Sequence, residues 1–131
     1  MAITSAICNS FKQELLQGTH NFTASSGNTF NLALYTSSAS LGASTTAYTT
    51  SNEVSGSGYT AKGNALTSVT PTLDSSTAVC DFADTSFTSA SFTARGCLIF
   101  NDSATGDPAV CAIDFGSDKT VTSGTFTIQF P

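Results

Sequence analysis

The sequence predicts a mainly β fold: an antiparallel β-sandwich of about seven to eight strands, with one N-terminal α-helix. Two observations support this prediction. From residue 28 onward, apolar and polar residues alternate, as in FNLALY, and a period of two places the apolar residues on one face of a strand. Clusters of Gly, Ser, Asn and Asp separate these segments, and such clusters are typical of turns.

The N-terminal segment has the periodicity of a helix. Ile7, Phe11 and Leu15 recur at every fourth position, so they share one face of a helix of about thirteen residues. Such a helix is marginally stable alone, and we expect its apolar stripe to pack against its own domain or against a partner. We therefore divide the chain into a helix and arm, residues 1–27, and a β-sandwich domain, residues 28–131, which together form one compact unit.

Seven segments have the strand pattern. They are NTFNLALYTS, AYTTSNEVS, YTAKGNALTSVTP, TAVCDFADTSF, SFTARGCLIFND, AVCAIDFG and GTFTIQFP. The last segment reaches the final residue, so it either pairs within the chain or adds a strand to the sheet of a neighbouring subunit.

Composition and charge exclude several classes of function. The chain of 131 residues has a formal net charge of −5, and its four Lys and Arg residues are not clustered. No nucleic-acid partner is therefore expected, because phosphate contacts require clustered basic side chains. No apolar run approaches the roughly 18 residues of a membrane span, so no membrane partner is expected either. The first residues lack the features of a signal peptide. We therefore expect the protein to be made and to remain in a reducing cytosol.

The stretch GCLIFNDSATGDPAVCAIDFG predicts a β-hairpin rather than a calcium loop. A turn centred on Ala104 places Cys97 opposite Cys111 on an apolar face, with both thiols in the core. A cross-strand disulfide is the alternative, and it would need an oxidising environment. Asp102 and Asp107 lack the ligand spacing of an EF-hand, so no metal site is predicted here.

The sequence contains no recognisable catalytic pattern. His20 is the only histidine, and its polar context, THNFT, predicts a solvated linker residue. The chain has neither a GxSxG nucleophile turn nor a CxxC pair, which argues against a serine hydrolase and against a zinc site. We therefore predict no enzymatic activity, no catalytic residues, no metal and no cofactor.

Arg95 is the only arginine, and it lies in an otherwise apolar strand. A buried guanidinium must be paired with a carboxylate. We expect a structural ion pair between Arg95 and Asp81 or Asp114, and contact with a partner protein is the alternative.

Three long segments resemble a known family, and with the N-terminal stretch the resemblance covers essentially the whole chain. They are FNLALYTSSASLGASTTAYTTSNEVSGSGYTAKGNALTSVTPTL, DFADTSFTSASFTARGCLIFND and AIDFGSDKTVTSGTFTIQFP, and the most specific motifs are TARGCLIFND and DFGSDKT. They are similar to small structural proteins of tailed bacteriophages of the marine and cyanobacterial type. The resemblance implies a virion component, made in the host bacterial cytoplasm, with no catalytic residue to carry over.

Within the virion, we expect a capsid decoration, or cement, protein that binds the outer head shell and stabilises it. Its expected partners are the major capsid protein and further copies of itself, as a homotrimer at capsomer junctions. The N-terminal helix and arm are the expected anchor. The candidate contact residues are Ile7, Phe11, Leu15 and Phe22.

Two alternatives stay open alongside the decoration protein. One is a tail-associated structural protein, such as a fibre, baseplate or adaptor domain. The other is a carbohydrate-binding module, a hypothesis that rests on analogy with other β-sandwiches. Its aromatic platform would consist of Tyr35, Tyr48 and Tyr59.

Overall fold

The computed structural model describes residues 2–131. Its elements are β1 (Ala6–Ile7), α1 (Asn9–Leu16), β2 (Phe30–Tyr35), β3 (Asn64–Ala65), β4 (Ser68–Asp74), β5 (Thr77–Phe82), β6 (Thr85–Asn101) and β7 (Ala109–Ile128). All pairings between these strands are antiparallel. The prediction of a mainly β, sandwich-like fold with one N-terminal helix is therefore confirmed.

The strands form one large sheet and one small sheet. The large sheet has the strand order β1-β7-β6-β2-β3, and the small sheet is the hairpin of β4 and β5. Strands β6 and β7 are much longer than the others, and their outer parts continue beyond β2 as a two-stranded ribbon. The C-terminal segment belongs to this ribbon, because Phe126 pairs with Phe87 and Ile128 pairs with Thr85. The last strand thus pairs within the chain.

Strand β2 is buried along its whole length because both faces of the large sheet are covered at this point. On one face, the hydroxyl of Tyr35 donates a hydrogen bond to the carbonyl oxygen of Thr49 (2.6 Å), which lies in the connection between β2 and β3. On the other face, the ring of Phe30 stacks on Phe22 of the N-terminal arm at 4.2 Å. Phe82, at the end of β5, also packs on Phe30. The second layer of the sandwich is therefore made of irregular segments and the small hairpin.

The helix is shorter than the periodicity predicts, and it begins only at Asn9. Ile7 belongs instead to β1, where it pairs with Cys111 of β7. The backbone N–H of Cys8 then donates to the carbonyl oxygen of Val110 (3.0 Å). These hydrogen bonds to the sheet require an extended backbone before residue 9, so they prevent the first predicted turn from forming.

The predicted helix and arm, residues 1–27, share one core with the rest of the chain. Ile3, Cys8, Phe11 and His20 are buried together with side chains of β2 and β6. The described part of the arm is therefore a structural layer of the sandwich, and its role as an anchor stays a prediction.

Candidate interaction surface

The β4–β5 hairpin leaves most of its side chains in solvent. Its two strands pair with each other and not with the large sheet. Three large apolar side chains are nevertheless exposed on it: Val69, Val79 and Leu73, the last to 73%. A two-stranded hairpin has no core of its own and is marginally stable in water. Contact with another surface would therefore stabilise this hairpin.

The register of the hairpin places its apolar residues on both faces. Leu73 is opposite Ala78, so it shares a face with Cys80 and Phe82 further along β5. Val79 is opposite Thr72 and lies on the other face. Exposed apolar side chains therefore lie on both faces of the hairpin.

An apolar groove of about 370 Å³ separates the base of the hairpin from the large sheet. Asp81 is the only charged residue that lines it. Its complete lining is Val79, Cys80, Asp81, Phe82, Ile99, Cys111, Ile113, Phe130 and Pro131. We call these residues the apolar groove and, together with Val69 and Leu73, the interaction surface.

Of the four predicted contact residues, Ile7 lies next to this surface. It is half-exposed and pairs with Cys111, whose side chain lines the groove. Leu15 is also exposed, but on α1. Phe11 is buried, and Phe22, which is partly exposed, stacks on Phe30. Within the single chain both rings therefore pack on their own domain, and their contact with a partner stays a prediction.

Arg95 forms an ion pair at the surface of the ribbon. Its Nε lies 3.5 Å from Oδ1 of Asp114, and its Nη1 lies 3.2 Å from Oδ1 of Asp118. The register between β6 and β7 shifts between Ala94 and Gly96, and this shift brings the two β7 carboxylates beside Arg95. Asp81 does not take part, because it lies in β5 and accepts a hydrogen bond from the N–H of Phe82 (2.7 Å). The Arg95 side chain is about one-third exposed, so these pairs contribute little to stability.

The predicted hairpin of β6 and β7 is present, but its register differs from that expected. Cys97 is opposite Ile113, and Cys111 is opposite Ile99, because the strands shift between Ile99 and Phe100. All four cysteines are free thiols. Burial raises the pKa of Cys97, and burial raises the pKa of Cys111 to about 12. Both thiols therefore behave as small apolar side chains of the sheet.

His20 is buried, which contradicts the prediction of a solvated linker residue. Its ring packs between the aromatic rings of Phe11 (4.8 Å between centroids) and Phe30 (6.1 Å). Its Nε2 lies 2.9 Å from Oε1 of Glu14 and its Nδ1 lies 3.1 Å from Nδ2 of Asn101. The local sequence THNFT carries no sign of this burial, because Asn101 is 81 residues away along the chain.

The three tyrosines do not form an exposed aromatic platform. Tyr35 is fully buried, and the hydroxyls of Tyr48 and Tyr59 each donate a 2.6 Å hydrogen bond to the carboxylate of Glu53. The backbone N–H of Lys62 donates to the same carboxylate (2.8 Å). The tyrosines are therefore structural, and the platform proposed for a carbohydrate-binding module is absent.

Lys62 holds the turn between β6 and β7. Its Nζ lies 3.0 Å from a carboxylate oxygen of Asp102 and 3.0 Å from one of Asp107. The lysine thus pairs with both acids that the sequence places in this turn. Among residues 2–131, no group of three or more His, Cys, Asp or Glu side chains is arranged to hold a metal ion.

Comparison with known proteins gives no relative of this chain. No protein-family model matches it, and neither the curated proteins nor the solved structures contain a significant match. In the part of the chain that the structure describes, no helix has the length and apolar character needed to cross a bilayer.

Proposed function

We propose that this protein is a structural component of a tailed-phage virion: a decoration protein that binds the outer head shell through the interaction surface. The observation that supports a binding role most directly is the exposed hairpin, on which Val69, Leu73 and Val79 lie beside the apolar groove. The assignment to a virion rests on the resemblance of the motifs TARGCLIFND and DFGSDKT.

The partner suited to this surface is a protein that supplies apolar side chains. The groove is lined almost entirely by apolar residues, and its one charged group is Asp81. A loop or strand of the major capsid protein that inserts an aliphatic or aromatic side chain would cover the groove and the exposed face of Leu73. Burial of one such side chain stabilises a complex by roughly 1.5–3 kcal/mol. Many copies on a repetitive shell would add further stabilisation through multivalency.

The open edge of β7 is the proposed contact between copies in a homotrimer. Strand β1 pairs with β7 only at Cys111 and Ala112, so the outer edge after Asp114 has no strand partner within residues 2–131. Unpaired backbone N–H and C=O groups on such an edge can accept a strand from a neighbouring subunit.

Immunogold labelling of intact particles, with antibody against this protein, tests the proposed location. We expect label distributed evenly over the head. Label confined to the tail would replace the proposal with the tail-associated alternative. Absence of label from particles in which the epitope is accessible would remove the virion proposal altogether.

A further inference from the structure

The hydrogen bonds around His20 select a single neutral form of its ring. Asn101 presents its side-chain Nδ2 to Nδ1 of His20, and an amide nitrogen can only donate. The amide also lies 3.0 Å from Oδ1 of Asn28 and 3.5 Å from the carbonyl oxygen of Thr19, and of its three acceptors the Thr19 oxygen is the most distant. We therefore assign the two amide hydrogens to Asn28 and to Nδ1 of His20, which places the ring proton on Nε2. From Nε2 it is donated to the carboxylate of Glu14.

The amide of Asn101 cannot reverse without breaking the turn that it holds. Its Oδ1 accepts hydrogen bonds from the backbone N–H groups of Ser103 (3.0 Å) and Ala104 (3.2 Å). Its Nδ2 also donates to Oδ1 of Asn28 (3.0 Å). Asn101 is fully buried, so a reversed amide would face these donors without water to replace the lost bonds.

The charged surroundings of the ring are simple. Among residues 2–131, Glu14, from α1, is the one charged side chain within ion-pair distance of His20. The other groups packed on the ring are the aromatic side chains of Phe11, Phe22 and Phe30, which cannot titrate. Asp102, next to Asn101, is paired with Lys62. Burial, and next the charge of Glu14, raise the pKa of the Cys8 thiol, so this thiol stays neutral.

We propose that His20 is a pH-sensitive latch between the N-terminal arm and the turn of residues 101–108. When His20 takes up a second proton, Nδ1 becomes a donor that faces the Nδ2 donor of Asn101. The hydrogen bond between them is lost, whereas the contact with Glu14 becomes a full ion pair. The ring then stays with the arm, and Asn101 and the turn separate from it.

The latch would act where the arm meets the large sheet. Thr29, which follows the arm, is joined to the same turn by two further hydrogen bonds: its N–H donates to Oγ of Ser103 (2.7 Å), and its carbonyl oxygen accepts from the N–H of Asp102 (2.9 Å). Acidification is therefore expected to loosen this junction first and to leave the long ribbon of β6 and β7 intact.

Nuclear magnetic resonance of the ¹⁵N-labelled protein tests the proposal in two steps. At neutral pH, the His20 ring nitrogens should show a proton on Nε2 and a bare, accepting Nδ1. On acidification, the protection of the Ser103 and Ala104 amides against hydrogen exchange should fall about tenfold or more as the ring protonates, after correction for intrinsic exchange. A proton on Nδ1 at neutral pH, or unchanged protection after the ring protonates, would overturn the proposal.

Two variants separate the latch from general acid unfolding. In His20→Asn, the side-chain oxygen can accept from Asn101 but cannot titrate, so the protection of Ser103 and Ala104 should not change over the pH range in which the wild-type ring protonates. In Glu14→Gln, the hydrogen bond remains but the negative charge is lost, so the ion pair that holds the protonated ring on the arm cannot form and the arm should loosen together with the turn. Equal pH responses in the wild type and His20→Asn would contradict the latch. The tautomer measurement on the wild type holds even if His20→Asn fails to fold.

Discussion

The carboxylate of Glu53 binds several residues of the connection between β2 and β3. Glu53 accepts hydrogen bonds from the phenols of Tyr48 and Tyr59 and from the backbone N–H of Lys62. Burial, and next the hydrogen bond to Glu53, raise the pKa of Tyr48 to about 12, and the same two causes raise the pKa of Tyr59. These phenols therefore keep their protons in the folded protein at a pH where exposed tyrosines lose them.

This difference predicts loss of stability at alkaline pH. A group whose folded pKa is raised stabilises the fold fully below its unfolded pKa, which is about 10 for tyrosine. The free energy of unfolding should therefore fall as the pH rises from about 10 toward 12, the value for folded Tyr48. Urea denaturation at a series of pH values measures this free energy of unfolding. Tyr48→Phe should show a shallower fall, and a free energy that stays constant over this range would refute the argument.

The four cysteines should differ in reactivity although none is in a disulfide. Cys8 and Cys97 are buried, and burial raises the pKa of both thiols. Cys111 is partly buried with a pKa of about 12, whereas Cys80 is exposed on β5. Burial and the nearby Asp81 raise the pKa of Cys80 too, so its accessibility alone distinguishes it, and one thiol per chain should react faster than the other three with a thiol reagent. Mass spectrometry should locate the label on Cys80, and rapid labelling of Cys97 would contradict the structure.

Gly63 should be intolerant of any side chain. Its φ is +67°, and a Cβ at this position would collide with the backbone carbonyl of Leu32 in β2. Gly106 is the matched control, because its φ is +85° but no atom lies within 4 Å of the position that a Cβ would occupy. We expect Gly63→Ala to lower the free energy of unfolding by about 2–5 kcal/mol, and Gly106→Ala by about 1–2 kcal/mol. Equal losses in thermal or chemical denaturation would contradict this assignment.

The elements show what the sequence could and could not predict. The alternation in FNLALY and the apolar run GCLIF predicted strands at β2 and in the C-terminal part of β6, because a strand pattern is a local property. The helix start, the register of β6 with β7 and the burial of His20 were missed. Each depends on a contact distant in sequence: Cys8 with Val110, Cys97 with Ile113, and His20 with Asn101. Local periodicity carries no signal for such pairs.

Because Phe11 of the N-terminal helix is buried, mutations on this helix should differ in their effect on stability. Phe11 is buried against His20 and Phe22, so Phe11→Ala should destabilise the protein by about 3–5 kcal/mol. Leu16 is 92% exposed on the same helix, so Leu16→Ala should change stability by less than about 0.5 kcal/mol. Chemical denaturation measures both. A stable Phe11→Ala protein would return the helix to the role of a detachable anchor.

At the scale of the whole molecule, the large sheet is a rigid support for an exposed hairpin. The arm covers part of one face, and the connection between β2 and β3 covers the other. The apolar groove and Leu73 remain uncovered next to the arm. A molecule with this arrangement presents exposed apolar side chains on both faces of the hairpin beside the groove, and in our account this interaction surface binds the head shell.

Under the proposed function, binding of the purified protein to phage heads that lack it tests this account most directly. Sedimentation of heads with the wild type, Leu73→Ser and Leu16→Ser compares one exposed leucine of the interaction surface with one on α1. We predict that Leu73→Ser binds about tenfold or more weakly than the wild type, because an interfacial leucine contributes roughly 1.5–3 kcal/mol. Leu16→Ser should bind as the wild type does. Unchanged binding of Leu73→Ser, with equal stability of all three proteins, would contradict the central claim.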